Sequence, residues 1–299
     1  MKLDELISRA THLPSKVVAI AAAEDAEVME AVAHALEKDL ASFILFGDEE
    51  KITGMLASHR IESSHEGVRI VPAATAKEAA QLAVKAVSGK EADVLMKGNV
   101  PTATILKEVL NKEYGLRTGS VLSHVAAFEV PSYDRLIFVT DAAMNIEPTL
   151  EQKVQIVQNS VSVARALGLE MPKVAPLAAV EVVNPAMQAT VDAALLTQMN
   201  HRGQIKDCII DGPLALDNAV SALAAEHKGI KSEVAGQADI LFVPTIEVGN
   251  VLYKSLIYFA NAKVGAIISG AKAPIVLTSR ADSAESKLNS LALAVCSVK

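Results

Sequence analysis

Short apolar runs alternate with helical stretches along most of the chain, and that alternation leaves few folds open. Residues 17–23, 42–47, 68–72 and 93–99 read as strands. Asp25 is a predicted N-cap for a helix through residue 38, a second helix follows the second strand, and a third runs from 75 to 89. Thr75-Ala-Lys-Glu78 matches a capping box. Pro101 suits the first turn of the next helix. A strand and a helix recur about every 25 residues, the rhythm of a parallel doubly wound sheet. Half the residues are apolar, yet aromatics make up 3% and Trp is absent. Ala, Val, Leu and Ile must do the packing, which suits parallel strands covered by Ala-rich helices.

The rhythm breaks between residues 114 and 141. Segments 117–124 and 126–130 read as extended, 131–134 as a turn and 135–141 as a strand. Consecutive strands without a helix imply an antiparallel edge or a hairpin near a domain junction. A polar loop then leads into a helix over 150–167. Alternation resumes with strands at 174–182, 208–214, 238–244, 264–269 and 275–277. Helices are predicted over 185–200, from 217, and over 248–262. A length of 299 residues suits two domains, and the first crossing between them is placed at residue 141.

Several function classes are disfavoured. Net charge is −7 with both signs interspersed, so no basic stripe marks a nucleic-acid partner. No run approaches the roughly 18 apolar residues of a membrane helix. The N-terminus reads as an amphipathic start without a signal-peptide core. Cys208 and Cys296 are the only cysteines. They point to a reduced, cytoplasmic setting and read as small buried hydrophobes rather than nucleophiles. The phosphate loop G-x-x-x-x-G-K-[ST], the dinucleotide fingerprint G-x-G-x-x-G and the elbow G-x-S-x-G are absent, and the seven histidines show no metal spacing.

The stretch Pro274-Ile-Val-Leu-Thr-Ser-Arg280-Ala-Asp-Ser-Ala-Glu-Ser-Lys287 reads as a strand at the edge of a parallel sheet feeding a helix. A helix N-terminus presents unpaired N–H groups and a positive dipole end. Arg280 adds a planar guanidinium suited to two phosphate oxygens. Ser279 and Ser283 can donate further hydrogen bonds, and Asp282 or Glu285 can act as a base. The same residues also suit ordinary capping, with Ser or Asp as N-cap and Arg280 in a surface ion pair.

Other polar clusters close predicted strands: Lys97-Gly98-Asn99, Asp141 with Asn145, Asp211-Gly212-Pro213, and Gly249-Asn250 with Lys254. Ligands of open α/β sheets bind beyond the carboxyl ends of the strands, although turn residues collect there in any case. Ser120, Ser123 and His124 lie in the irregular stretch. His124 suits either substrate orientation or a structural role.

With these segments the chain resembles the phosphate acetyltransferase and phosphate butyryltransferase family. The resemblance rests on Asp211-Gly-Pro-Leu-Ala-Leu-Asp-Asn-Ala219, Ala238-Asp-Ile-Leu-Phe-Val-Pro244, Gly249-Asn-Val-Leu-Tyr-Lys254, Leu277-Thr-Ser-Arg280 and the loop Asp141-Ala-Ala-Met-Asn-Ile-Glu-Pro-Thr149. Met96-Lys-Gly-Asn-Val100, Arg117-Thr-Gly-Ser120 and the short length favour the butyryl branch. The resemblance implies two doubly wound α/β/α domains of the isocitrate/isopropylmalate dehydrogenase-like type with an interdomain cleft. Residues 1–141 with 273–299 would form the first domain and 142–272 the second. It also implies conversion of acyl-CoA and phosphate to acyl phosphate and CoA, without a metal, another cofactor or a covalent acyl-enzyme, by a homodimer or larger homo-oligomer. Arg280 and Ser279 would hold phosphate. Lys97, Asn99, Arg117, Ser120, Ser123, Asn250 and Lys254 are the further residues expected to bind phosphate or CoA. The acetyltransferases carry an aspartate six residues after the arginine, where this chain has Ser286. The base therefore falls to Glu285 or Asp282. A phosphate acetyltransferase, a metal-dependent hydroxyacid dehydrogenase of this fold class and a non-catalytic acyl-CoA binding protein are the alternatives.

Overall fold

The computed structural model describes residues 1–279 and 282–298. The chain divides into two compact units, residues 1–120 with 264–299 and residues 121–263. The sequence reading places the boundaries at 141 and 272 instead. The hairpin made by the first two strands of the second unit accounts for the earlier first boundary.

The first unit opens with α1 (Leu3–Thr11), β1 (Val17–Ala21), α2 (Ala26–Glu37), β2 (Ser42–Gly47), α3 (Glu49–Ser58), β3 (Val68–Pro72), α4 (Ala76–Ser88), β4 (Val94–Lys97) and α5 (Thr102–Val109). Side-chain caps set the helix starts. Asp25 accepts from Val28 N at 3.0 Å and Asp48 from Lys51 N at 3.1 Å. Thr75 caps α4 by accepting from Glu78 N at 3.1 Å. The expected capping box is not closed, because Glu78 accepts from Ala74 N, one residue before the cap. Pro101 stands at the N-cap of α5 rather than inside its first turn.

The second unit follows with β5 (Ser123–Glu129), β6 (Ile137–Thr140), α6 (Leu150–Ala166), β7 (Lys173–Pro176), α7 (Gln188–His201), β8 (Ile209–Ile210), α8 (Leu216–Val220), α9 (Ala222–His227), β9 (Ile240–Phe242) and α10 (Ile246–Tyr258). Its strands run in the order β5-β6-β9-β7-β8. The β5–β6 hairpin is antiparallel and the other pairings are parallel. Residues 117–122 form no strand, so the two predicted extended segments reduce to β5 alone. The strand predicted over 174–182 stops at Pro176. Loop residue Asn184 exchanges hydrogen bonds with Thr190, so that α7 begins at Gln188. Ser221 splits the helix predicted from 217, capping α9 through Ala224 N. A buried Lys153–Asp192 ion pair ties α6 to α7, and Gln188 donates to the same carboxylate at 2.8 Å.

The chain then returns to the first unit as β10 (Lys263–Ser269), β11 (Ile275–Val276) and α11 (Ala284–Ser297). That unit's strand order is β3-β2-β1-β4-β11-β10. The expectation that β11 lies at a sheet edge is corrected. It pairs parallel with β4 through Val276↔Met96 and antiparallel with β10 through Ile268↔Ile275. A two-residue apolar strand does not announce its neighbours. Pairing on both sides fits its complete burial.

Helix α11 forms much of the first unit's core. All its residues from Leu288 to Cys296 are buried, polar ones included. Ser290 accepts from Ala266 N at 2.9 Å and donates to Ser286 O at 2.7 Å, which satisfies its hydroxyl. Asn289 donates to Val264 O at 3.4 Å. Small side chains and satisfied hydroxyls let the helix lie close to β10, α1 and α2. Leu291 is fully buried here, so Leu291→Ala is expected to lower the unfolding free energy by about 2–5 kcal/mol in a urea titration. Cys208 and Cys296 are buried too, and burial pushes both thiols up to about 11. Burial and the raised pKa both disfavour the reactive thiolate. A colorimetric thiol reagent should therefore leave the native chain nearly unlabelled and titrate both cysteines after unfolding.

Candidate active site

The expected residues fall into one set in each unit. In the first, β4 and β11 run side by side; β4 ends in Lys97, and β11 is followed two residues later by Thr278 and Ser279. Lys97 is the last residue of β4, 6% exposed, with its ammonium donating to Gly98 O at 3.2 Å. Gly98 is required there because a Cβ would collide with the Ala22 carbonyl oxygen. The next turn is pressed onto the end of β1, with Gly98 N and Asn99 N donating to Ala21 O and Ala22 O. Asn99 is exposed ahead of α5.

β11 ends at Val276, paired with Met96 just before Lys97, and the chain continues through Leu277 to Thr278 and Ser279. Ser279 is exposed, and its N–H donates to Asp282 Oδ2 at 2.7 Å. Asp282 N returns a bond to Ser279 O at 3.2 Å. Residues 279 and 282 thus close a turn on themselves just before the N-terminus of α11. Ser283 is the N-cap of that helix and accepts from Ser286 N at 3.2 Å. The capping chemistry is therefore real, and it leaves the positive helix end directed at the turn that carries Ser279. Arg280 lies outside the described residues.

Glu285 is exposed in the first turn of α11. It borders a depression of about 480 Å³ with Asp4, Ser8 and Thr11 of α1 and Lys38. Asp282 is the acid in hydrogen-bond contact with Ser279. Arg117 and Ser120 are both exposed in the loop after α5. Thr118 holds that loop by donating to Gly270 O at 2.5 Å and accepting from Ser120 N at 3.2 Å. Lys272 N donates to Leu116 O at 2.9 Å, so the Arg117 loop is stitched to the turn between β10 and β11.

In the second unit, Ser123 is fully buried and accepts from Asn159 Nδ2 at 2.8 Å. His124 is buried, with its ring edge-on to Tyr253 at 5.6 Å between centroids. Asp141 closes its own loop, accepting from Ala143 N and Met144 N at 2.9 and 3.0 Å and from Asn145 Nδ2 at 2.6 Å. Helix α10 packs on that loop through Gly249, where a Cβ would sit 2.5 Å from Asp141 O. Asn250 and Lys254 follow one turn apart, both exposed. Among the described residues no cluster of three or more His, Cys, Asp or Glu could hold a metal ion.

Two residues escaped the sequence reading. Thr278 is 8% exposed, and its buried hydroxyl has no hydrogen-bond partner in the structure. Lys287 is 2% exposed, and its ammonium donates to the main-chain oxygens of Ser279 and Asp282. A lysine in the first turns of an otherwise Ala- and Leu-rich helix is the signal that could have pointed to it.

The description "Phosphate acetyl/butaryl transferase" belongs to a family model that matches residues 65–295. A probable phosphate butyryltransferase of Bacillus subtilis is 62% identical over 296 residues, covering 99% of this chain and 98% of that one. The phosphate butyryltransferase of Clostridium beijerinckii is 52% identical over 291 residues, covering 97% and 96%. Among solved structures, a branched-chain phosphotransacylase from Enterococcus faecalis superposes with a TM-score of 0.83 at 39% identity, covering 95% of this chain and 99% of that one. The chain belongs to the phosphate acetyltransferase and phosphate butyryltransferase family of acyltransferases.

Proposed function

We propose that the chain transfers a short or branched acyl group, with butyryl favoured, between coenzyme A and phosphate. A phosphate oxygen attacks the acyl carbonyl carbon, the C–S bond breaks, and CoA leaves as the thiol after protonation. Both substrates are present together, so neither a covalent acyl-enzyme nor a metal is needed. The observation that carries this reading is the closed turn at Ser279 and Asp282, set at the positive end of α11 and following β11, which pairs with the strand that ends in buried Lys97. A dianion gains there from helix dipole, N–H donors and ammonium.

In this reading Ser279 and Arg280 hold the attacking phosphate. Lys97 and Asn99 donate toward the oxyanion of the tetrahedral intermediate, where fixed donors stabilise charge most. Arg117, Ser120, Asn250 and Lys254 are exposed donors suited to the phosphates of CoA, and Ser123 supports its strand from within. Glu285 serves as the base for the CoA thiol in the direction of acyl-CoA synthesis, with Asp282 as the second candidate. Only the thiolate attacks well.

We also propose a homodimer or larger homo-oligomer. Helix α10 is rich in apolar residues, yet Gly249 is its only buried residue. Val248, Val251, Tyr258 and neighbouring Phe259, the last 87% exposed, lie along one stripe, which a second copy would cover. No helix of the described residues is long and apolar enough to cross a membrane, and a cytoplasmic site of action is proposed.

Release of CoA from butyryl-CoA, followed with a thiol reagent, should require phosphate and run faster than release from acetyl-CoA. Release without phosphate would indicate a hydrolase, and binding without release a non-catalytic protein. Arg280→Ala should lower kcat/KM by about a hundredfold or more, while Glu285→Gln should lose a similar factor when CoA thiol is the nucleophile. A Glu285→Gln variant of full activity would move the base role to Asp282. Sedimentation should show an oligomer that Val251→Asp with Phe259→Asp converts to monomer. A monomeric starting protein would remove the interface.

A further inference from the structure

We infer that Lys287 is a positioning residue for the transfer reaction, shaping and charging the turn that presents Ser279 to phosphate. The inference rests on the proposed phosphate site. Lys287 stands one turn into α11, where the helix dipole repels a cation. Its side chain is nevertheless buried, at 2% exposure. Burying an ammonium is costly unless it is paired. Among the described residues, no carboxylate pairs with it. Its ammonium donates to the main-chain oxygens of Ser279, at 3.3 Å, and of Asp282.

Those two carbonyls belong to the two ends of the turn. The ammonium therefore joins residues 279 and 282 through their carbonyls, and the bond from Ser279 N to Asp282 Oδ2 joins the same two residues. Carbonyl dipoles solvate the charge without cancelling it. A buried positive charge and a positive helix end thus share one place, with Asp282 engaged by a main-chain N–H and Glu285 exposed. A bound phosphate dianion supplies the missing counter-charge, and a methionine would fill the same volume if packing were the only need. The hydroxyl of Thr278, without a partner among the described residues, lies one residue before that turn and is a further donor in the segment after β11.

The test compares the full chain with Lys287→Met and Lys287→Arg. In Lys287→Met, KM for phosphate should rise about tenfold or more, with KM for butyryl-CoA within about twofold. Lys287→Arg, which keeps charge and donors, should recover at least part of that loss. Thermal unfolding separates this from damage to the core. An unchanged KM for phosphate overturns the inference. So does an equal loss for both substrates accompanied by a lowered unfolding midpoint. If Lys287→Met fails to fold, Lys287→Gln, which keeps a donor without the charge, is read by the same split. Calorimetric titration with inorganic phosphate provides a readout independent of turnover. Binding by the unaltered chain that weakens in the variant supports the role of Lys287, and equal binding by both refutes it. Absence of phosphate-dependent CoA release in the unaltered chain would instead strike at the proposed reaction.

Discussion

The burial of α11 is the constraint on which the first unit depends. A parallel sheet exposes two apolar faces, and each needs a helix layer. In this unit α11 packs against β11, α1 and α2. No outward polar face remains on the helix between Leu288 and Cys296, so every polar group there must be satisfied internally. Ser290 and Asn289 meet that demand by binding the main chain of β10. The helix is therefore held in depth and rotation by hydrogen bonds as well as by apolar contact. Its N-terminus, with the positive dipole end, inherits that fixed position.

Rigidity at the site follows from this arrangement. The Ser279 turn is bound to α11 by Ser283 and Lys287, and it emerges from β11, which is paired on both sides. The Arg117 loop is bound to the turn ahead of the same strand. In the proposed reaction, donors fixed in this way would stabilise developing charge without reorganising. The second unit shows the same economy. Asp141 spends its carboxylate on its own loop, and Gly249 allows α10 to seat on that loop directly.

Much of the fold was legible in the sequence because its signals are local. Strands β2 and β3 match their predicted residues, and Asp25 caps α2 as its type and position imply. The α/β class followed from the repeat of such signals. What failed depended on partners distant in the chain. The two residues of β11 carry no record of lying between β4 and β10. Glu78 has the spacing of a capping box but bonds Ala74, a choice made by local backbone geometry. Residues 177–182 read as the end of a strand and 185–187 as the start of a helix, yet this loop is organised by Asn184 and Thr190. The polar clusters at strand ends were legible as types. Lys287 was not, because a lysine in a helix reads as solvated until its burial is known.

The discontinuity of the first unit has an implication for biosynthesis. Residues 121–263 form a contiguous unit, so all of its residues are made before the first unit's last segment emerges. The unit that begins first is completed only at the end of synthesis. Residues 1–120 emerge with β4 lacking its β11 neighbour and with α1 and α2 lacking α11. An incomplete parallel sheet with open edges and bare apolar faces must wait while more than a hundred residues are translated. A nascent chain in that state is a natural client for chaperones that bind exposed apolar segments.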